Sequence, residues 1–397
     1  MAGKISVGID IGTYQVKVAV AEEFQTEDGT SSSRVIGTGF AESKGLRHGY
    51  IINTMDATRC IKIAVSQAEK AAKMRIKKAY ISIGGIGLSS VIGKGSVIIS
   101  KADSEITDLD VKNVLSVAES EVSPSALTNK KIIHSIPQIY KIDDQLLIGR
   151  PTGMHGVKLE TKVLFVLCLE QHLNDVIRSV EDAGIEVIDV MASPLAASIV
   201  SLNKTQKIAG CILVNIGSET VSLVVFENNI PISLEVFPIG STDITNDIAL
   251  GFRIPIDEAE HIKTQATETP YSKKKLDEII TNKLSDIFDL VEAHLKKIGR
   301  NSLLPAGIIL TGGGSGIETI EDVAKAALKL PSKIASINFI SNMKNGQIKD
   351  ASWSVAYGLA TWGLNTYDDS STGLSLSGGR TGKVFKGLGD WFKQFLP

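Results

Sequence analysis

The residues of this sequence with the clearest chemical use lie near its start. An alternating apolar run from Ile5 reaches Asp10, turns through Gly12-Thr13-Tyr14-Gln15, and alternates again through Val16, Val18 and Val20. Period-two alternation on both sides of a short polar turn reads as a β-hairpin. Gly12 lets the backbone approach a ligand closely, Thr13 adds a hydroxyl, and the N–H groups of the turn form a small anion cradle that suits a phosphate chain. Asp10, at the end of the first strand, is placed to hold a hydrated Mg²⁺ facing the same phosphates, because that ion prefers a carboxylate plus waters.

Asp-x-Gly-Thr is also an ordinary hairpin turn, so the repetition of the pattern matters more than its first occurrence. Leu213-Val214-Asn215-Ile216-Gly217-Ser218-Glu219-Thr220-Val221 repeats strand, polar residue, glycine turn, threonine and strand. Gly312-Gly313-Gly314 follows an apolar strand at 307–310 and supplies a third turn open to close approach. Two such hairpins, each opening one half of the chain, imply a duplicated fold closing on one nucleotide.

The elements that must position these turns fit a chain of 397 residues and 43% hydrophobic content, enough for a large core divided between two lobes. A net charge of −2 provides no global basic field, so nucleic acid is not an expected partner. No uncharged apolar run approaches the roughly 20 residues of a membrane span, and MAGKISVGID enters a strand without a signal-peptide core; a cytoplasmic chain is expected. Cys60, Cys168 and Cys211 sit far apart in apolar runs, as buried reduced thiols do. A helix is expected at 56–73; after it, strands at 79–83, 91–99 and 132–140, a helix at 108–119 and the absence of a phosphate-type turn mark 77–169 as a small α+β insert. His48 reads as a loop residue and His134 as a structural imidazole. Ser193 before Pro194 predicts an N-cap on a crossover helix between the lobes, in which Ala196 and Ala197 permit close helix contact. A Ser- and Gly-rich linker at 366–382 precedes 383–397. There Val384, Phe385, Leu388, Trp391, Phe392 and Phe395 take one helical face and lysines the other, which suits an anionic bilayer interface, the protein's own surface or a partner helix.

The three turns in this order resemble the phosphate-1, phosphate-2 and adenosine motifs of the actin-like ATPases. Within that group the chain is most similar to the FtsA family, which shares the stretches 134–140, 150–154 and 156–163 of the insert. The resemblance implies a two-lobed α/β actin-like fold with duplicated ribonuclease H-like subdomains. Subdomain 1A covers 1–76, the inserted subdomain 1C 77–169, the return to 1A and the interlobe connection 170–205, and the second lobe 206–365, with 2B at about 240–305. A C-terminal amphipathic helix follows the linker.

The resemblance further implies ATP and Mg²⁺ as cofactors. Gly12, Thr13, Tyr14, Gln15, Asn215, Gly217, Ser218, Glu219 and Thr220 would hold phosphates, Glu260, Lys263, Gly312, Gly313, Gly314 and Ser315 the adenosine, and Asp10 the metal through water. No catalytic residue is assigned. Asn215 stands where many actin-like ATPases carry Asp, and Gln15 where many FtsA sequences carry Lys, which implies a nucleotide bound without efficient turnover and no phosphate-facing cation. Implied partners are the FtsZ C-terminal peptide through subdomain 2B, further copies of the chain in a filament, an anionic membrane surface at the cytoplasmic face of the division site, and other divisome proteins. A pilus-assembly adaptor resembling PilM and a small-molecule kinase are the alternative functions.

Overall fold

The computed structural model describes residues 4–25, 31–100, 103–147, 149–264, 270–337, 340–341 and 350–366. The predicted linker beyond Thr366 and the amphipathic segment carrying Val384, Phe385, Leu388, Trp391, Phe392 and Phe395 lie outside the described residues.

The first lobe is built on a six-stranded sheet in the order Glu186–Ala192, Lys78–Ile83, Ile5–Ile11, Gln15–Gln25, Ser31–Glu42 and Ile340–Ser341. Gln15–Gln25 is buried on both faces, since Val16, Val18 and Val20 and also Ala19 and Ala21 are fully covered. One cover is the helix Thr54–Ala72, capped by Asn53, whose side chain accepts from the amides of Met55 and Asp56 at 3.1 and 3.2 Å. The other is the closing helix Ser354–Thr366. Gly8 is required on that face, because a Cβ there would overlap the Ala356 carbonyl.

The second lobe repeats the scheme in a five-stranded sheet ordered Ile230–Phe237, Val221–Glu227, Cys211–Ile216, Ile308–Thr311 and Ser332–Ile334. Its outer helices Ser241–Phe252, Ile256–Thr264 and Lys273–Lys297 bury Ile248, Ile262, Leu284 and Phe288 against it. The crossover helix Ser193–Ser201 leaves the first-lobe sheet and packs on the second, while the closing helix returns from the second lobe to the first. Ser193 lies inside the crossover helix and does not cap it. Its hydroxyl donates to the Ile83 carbonyl at 3.0 Å, a tertiary acceptor that outcompetes the local cap.

The insert is a four-stranded sheet, Ser89–Ile98, Lys158–Leu169, Lys130–Ile142 and Gln145–Leu147, with the helix Asp108–Ser120 on it. It begins later than residue 77. Lys78–Ile83 pairs in parallel with Ile5–Ile11 and with Glu186–Ala192, so that strand belongs to the first-lobe sheet. The insert also reaches the edge strand of the second lobe. Ser90 Oγ donates to the Leu234 carbonyl at 2.7 Å and accepts from the Leu234 amide at 2.9 Å, and Gln138 Nε2 donates to the carbonyls of Pro231 and Ile232 at 3.2 and 3.1 Å.

His134 is buried where the insert meets the first lobe, and its Nε2 accepts from the Ala192 amide at 3.0 Å. Burial pushes its pKa down to about 3. The unfolded chain, with an ordinary imidazole near 6.5, therefore takes up this proton first as the pH falls, and stability is lost between about pH 6.5 and 3. His294 and His172, both also lowered by burial, act in the same direction. Denaturant titrations at pH 7, 6 and 5 should show His134 contributing a loss of about 2 kcal/mol at pH 5, and His134→Gln should flatten the profile by that amount. An unchanged slope would exclude a neutral buried imidazole.

Candidate functional site

Both hairpins close in the same way. In the first, Ile11 opposes Val16 and the Gly12 amide donates to the Gln15 carbonyl at 3.2 Å; in the second, Ile216 opposes Val221 and the Gly217 amide donates to the Thr220 carbonyl at 2.9 Å. Their turns face one cavity of about 650 Å³ between the lobes. Asp10, Gly12, Thr13, Tyr14, Gln15, Asn215, Gly217, Ser218 and Thr220 line it, together with Glu260, Lys263, Gly312, Gly313 and Gly314.

Two of the sequence-predicted residues stand elsewhere. Ser315 is buried beneath the glycine turn, where its hydroxyl donates to the Gly312 carbonyl at 2.7 Å. Glu219 does not line the cavity; its carboxylate accepts from the His48 amide across the cleft, and His48 Nδ1 lies 3.3 Å from the Glu219 carbonyl. His48 sits in a loop tied to the first hairpin by the Gly49 amide, which donates to Thr13 Oγ1 at 3.1 Å.

Position 15 carries Gln, as the sequence states, but a second residue of the hairpin that pattern reading overlooked, Lys17, brings a cationic side chain to the cavity. It opposes Asp10 in the hairpin register and lines the cavity, with Nζ donating to the Ser352 carbonyl at 2.8 Å. Counting outward from the turn, with Ile11 opposite Val16 and hence Asp10 opposite Lys17, would have found it, since cross-strand partners share a face. Burial raises the pKa of Asp10 against the pull of Lys17 and of the Ser82 hydroxyl, which donates to it at 2.8 Å; burial lowers that of Lys17 against Asp10 and Asp350. A carboxylate at the end of the first hairpin strand, on the cavity wall, fits a hydrated Mg²⁺ that takes its remaining ligands from water and phosphate. Among the described residues no group of three or more His, Cys, Asp or Glu forms a closed metal site.

Lys263 Nζ is nearly enclosed and donates to Glu260 at 2.7 Å, to Thr245 Oγ1 at 2.8 Å and to the Ser241 carbonyl at 3.2 Å. The pair is thus fixed in place on the wall of the cavity. Gly312 has φ +88°, and a Cβ there would overlap Asn215 Oδ1; Gly313 and Gly316 border open space. Only glycine allows the backbone to pass here.

A family model described as "Cell division protein FtsA" matches residues 212–358, and one described as "SHS2 domain inserted in FTSA" matches 85–167. The cell division protein FtsA of Pseudomonas aeruginosa is 31% identical over 95% of this chain and 93% of its own length. That of Bacillus subtilis is 30% identical over 90% and 82%. Among solved structures, a PilM–PilN type IV pilus biogenesis complex superposes with a TM-score of 0.67 at 17% identity, covering 90% of this chain and 98% of that one. MreB5 of Spiroplasma citri bound to ADP gives 0.53 at 13%, covering 93% and 99%.

The bond from the His48 amide to Glu219 joins the two lobes at the mouth of the cleft, and a bond to a charged acceptor contributes about 1.5–3 kcal/mol. Glu219→Ala should accelerate hydrogen exchange of the His48 amide by about tenfold or more, read by NMR or mass spectrometry. Unaltered exchange would mean that the lobes are not joined there.

Proposed function

The chain belongs to the family of cell division protein FtsA and has its actin-like fold, and from this premise we propose that it binds ATP with Mg²⁺ in the interlobe cleft, assembles into filaments and tethers FtsZ filaments to the cytoplasmic membrane at the division site. The observation that carries the reading is the pair of hairpin turns with identical backbone closure, facing one cavity that also holds Asp10, Lys17 and the glycine turn.

In this reading the amides of Gly12–Gln15 and Gly217–Thr220 and the Lys17 ammonium orient the phosphates, and Asp10 holds the metal through water. Glu260, Lys263 and Gly312–Gly314 border the nucleoside. Bound metal would supply charge neutralisation for the phosphates. Asn215 offers a hydrogen bond and no charge, so it cannot serve as a general base, and turnover is slow. The nucleotide then acts as a clamp that favours the closed arrangement of lobes, a shift of population. A short amphipathic tail binds a bilayer modestly, and a filament presenting many tails gains through effective concentration. Subdomain 2B receives the FtsZ C-terminal peptide.

Two measurements test this. Lys17→Met should weaken ATP binding by about 10- to 100-fold in calorimetry while the chain remains folded by circular dichroism. Equal affinity would remove Lys17 from the phosphate site. In vesicle co-sedimentation with ATP and Mg²⁺ on anionic lipid, the full chain should pellet and a chain ending at Tyr367 should not. Failure of the full chain to pellet would overturn the tether and favour a pilus adaptor or a soluble kinase.

A further inference from the structure

Ser354 opens the closing helix, is 1% exposed, and lines the interlobe cavity. Its hydroxyl has no hydrogen-bond partner among the described residues. Buried helical serines ordinarily return the hydroxyl to a carbonyl of the preceding turn. The buried Ser179 and Ser198 do so here, donating to Asp175 and Leu195 at 2.8 and 2.7 Å, whereas the buried Ser201, at the end of its helix and away from the cavity, does not. At Ser354 the carbonyls of the preceding turn are engaged otherwise. That of Asp350 accepts from the Trp353 amide, that of Ala351 from Thr311 Oγ1 and the Gly312 amide, and that of Ser352 from Lys17. None of these carbonyls stands in hydrogen-bonding geometry to the hydroxyl, which remains a buried, unpartnered donor and acceptor on a residue that lines the cavity.

Its surroundings indicate what would partner it. Gly8, two residues before Asp10, abuts Ala356, two residues after Ser354, and the Ser352 carbonyl holds Lys17 opposite Asp10. The first turn of the closing helix thus runs beside the Asp10 and Lys17 end of the first hairpin. A helix N-terminus favours an anion at this position.

We propose that the Ser354 hydroxyl donates a hydrogen bond to a phosphate oxygen of the bound nucleotide. This rests on the reading that the cleft takes ATP. The same residue would then be unsatisfied in the empty cleft and satisfied in the filled one, so that it contributes to binding and not to the stability of the free fold.

Titration of the full-length Ser354→Ala chain with ATP, ADP and adenosine, beside thermal unfolding of the free chain, tests it. The expected result is a rise of about tenfold in Kd for ATP and ADP, an unchanged Kd for adenosine, and an unfolding midpoint for the free chain equal to or above that of the unaltered protein. Equal weakening for all three ligands, or a lowered midpoint, would assign Ser354 to packing and overturn the inference. Unchanged ATP affinity would overturn it as well. If the unaltered chain bound adenosine and not ATP, or neither, the reading of the cleft itself would fail first.

Discussion

The spacing of the two lobes is set where two helix backbones touch. A Cβ on Gly358 of the closing helix would overlap the Ala196 carbonyl of the crossover helix, and one on Gly8 would overlap the Ala356 carbonyl on the opposite side of the closing helix. First-lobe sheet, closing helix and crossover helix therefore stack with almost no side-chain layer between their contact points. The crossover helix lies on the second-lobe sheet, so this stack joins the two sheets as one packed unit, and Leu195, Ala196, Leu213, Val224, Ile309, Val355 and Leu359 belong to a single buried cluster. Close-packed interiors transmit displacement with little compression. A bulkier residue at any of these glycines would move the hairpin turns apart by moving the sheets that carry them.

The two hairpins share register and closure, yet their chemistry differs. Asp10 and Lys17 in the first correspond to Asn215 and Ser222 in the second. All formal charge at the paired positions therefore comes from one lobe, and the other offers neutral groups and backbone amides. Two opposed carboxylates in so enclosed a cleft would each carry a desolvation cost and repel one another. With Asn215 in place, the second turn can approach the first without that repulsion, and closure depends on the ligand's phosphates meeting neutral donors. The Glu219 carboxylate is consistent with this division, because it is turned out of the cavity to the His48 amide.

Much of this architecture was legible in the sequence where the information is local. Both hairpins and the glycine turn follow from periodicity and from glycine at turns, and the crossover helix from Pro194 at its first turn. What could not be read depends on partners distant in the chain. The strand Lys78–Ile83 reads as part of the insert until its parallel pairing with Ile5–Ile11 is known. Ser193 has the composition of a cap, but Ile83 offers it a better acceptor. Glu219 adjoins the phosphate-type turn in sequence, and only the arrival of His48 from the other lobe decides where its carboxylate goes. Ser354 carries no pattern at all; its significance arises from which neighbouring carbonyls are already occupied.

The insert has a place in this scheme because it spans the lobes that the nucleotide site separates. At its root, the Ile86 amide donates to the His48 carbonyl at 3.3 Å, next to the contact with Glu219, and His134 is fixed to Ala192 at the start of the crossover. At its far side, Ser90 and Gln138 hold the strand Ile230–Phe237, which would otherwise be an open sheet edge available to wrong partners. Opening the lobes must either break these four bonds to the edge strand or carry the insert along with the second lobe. In both cases the insert registers the width of the cleft, since it is tied to the mouth at His48 and to the opposite sheet at Leu234.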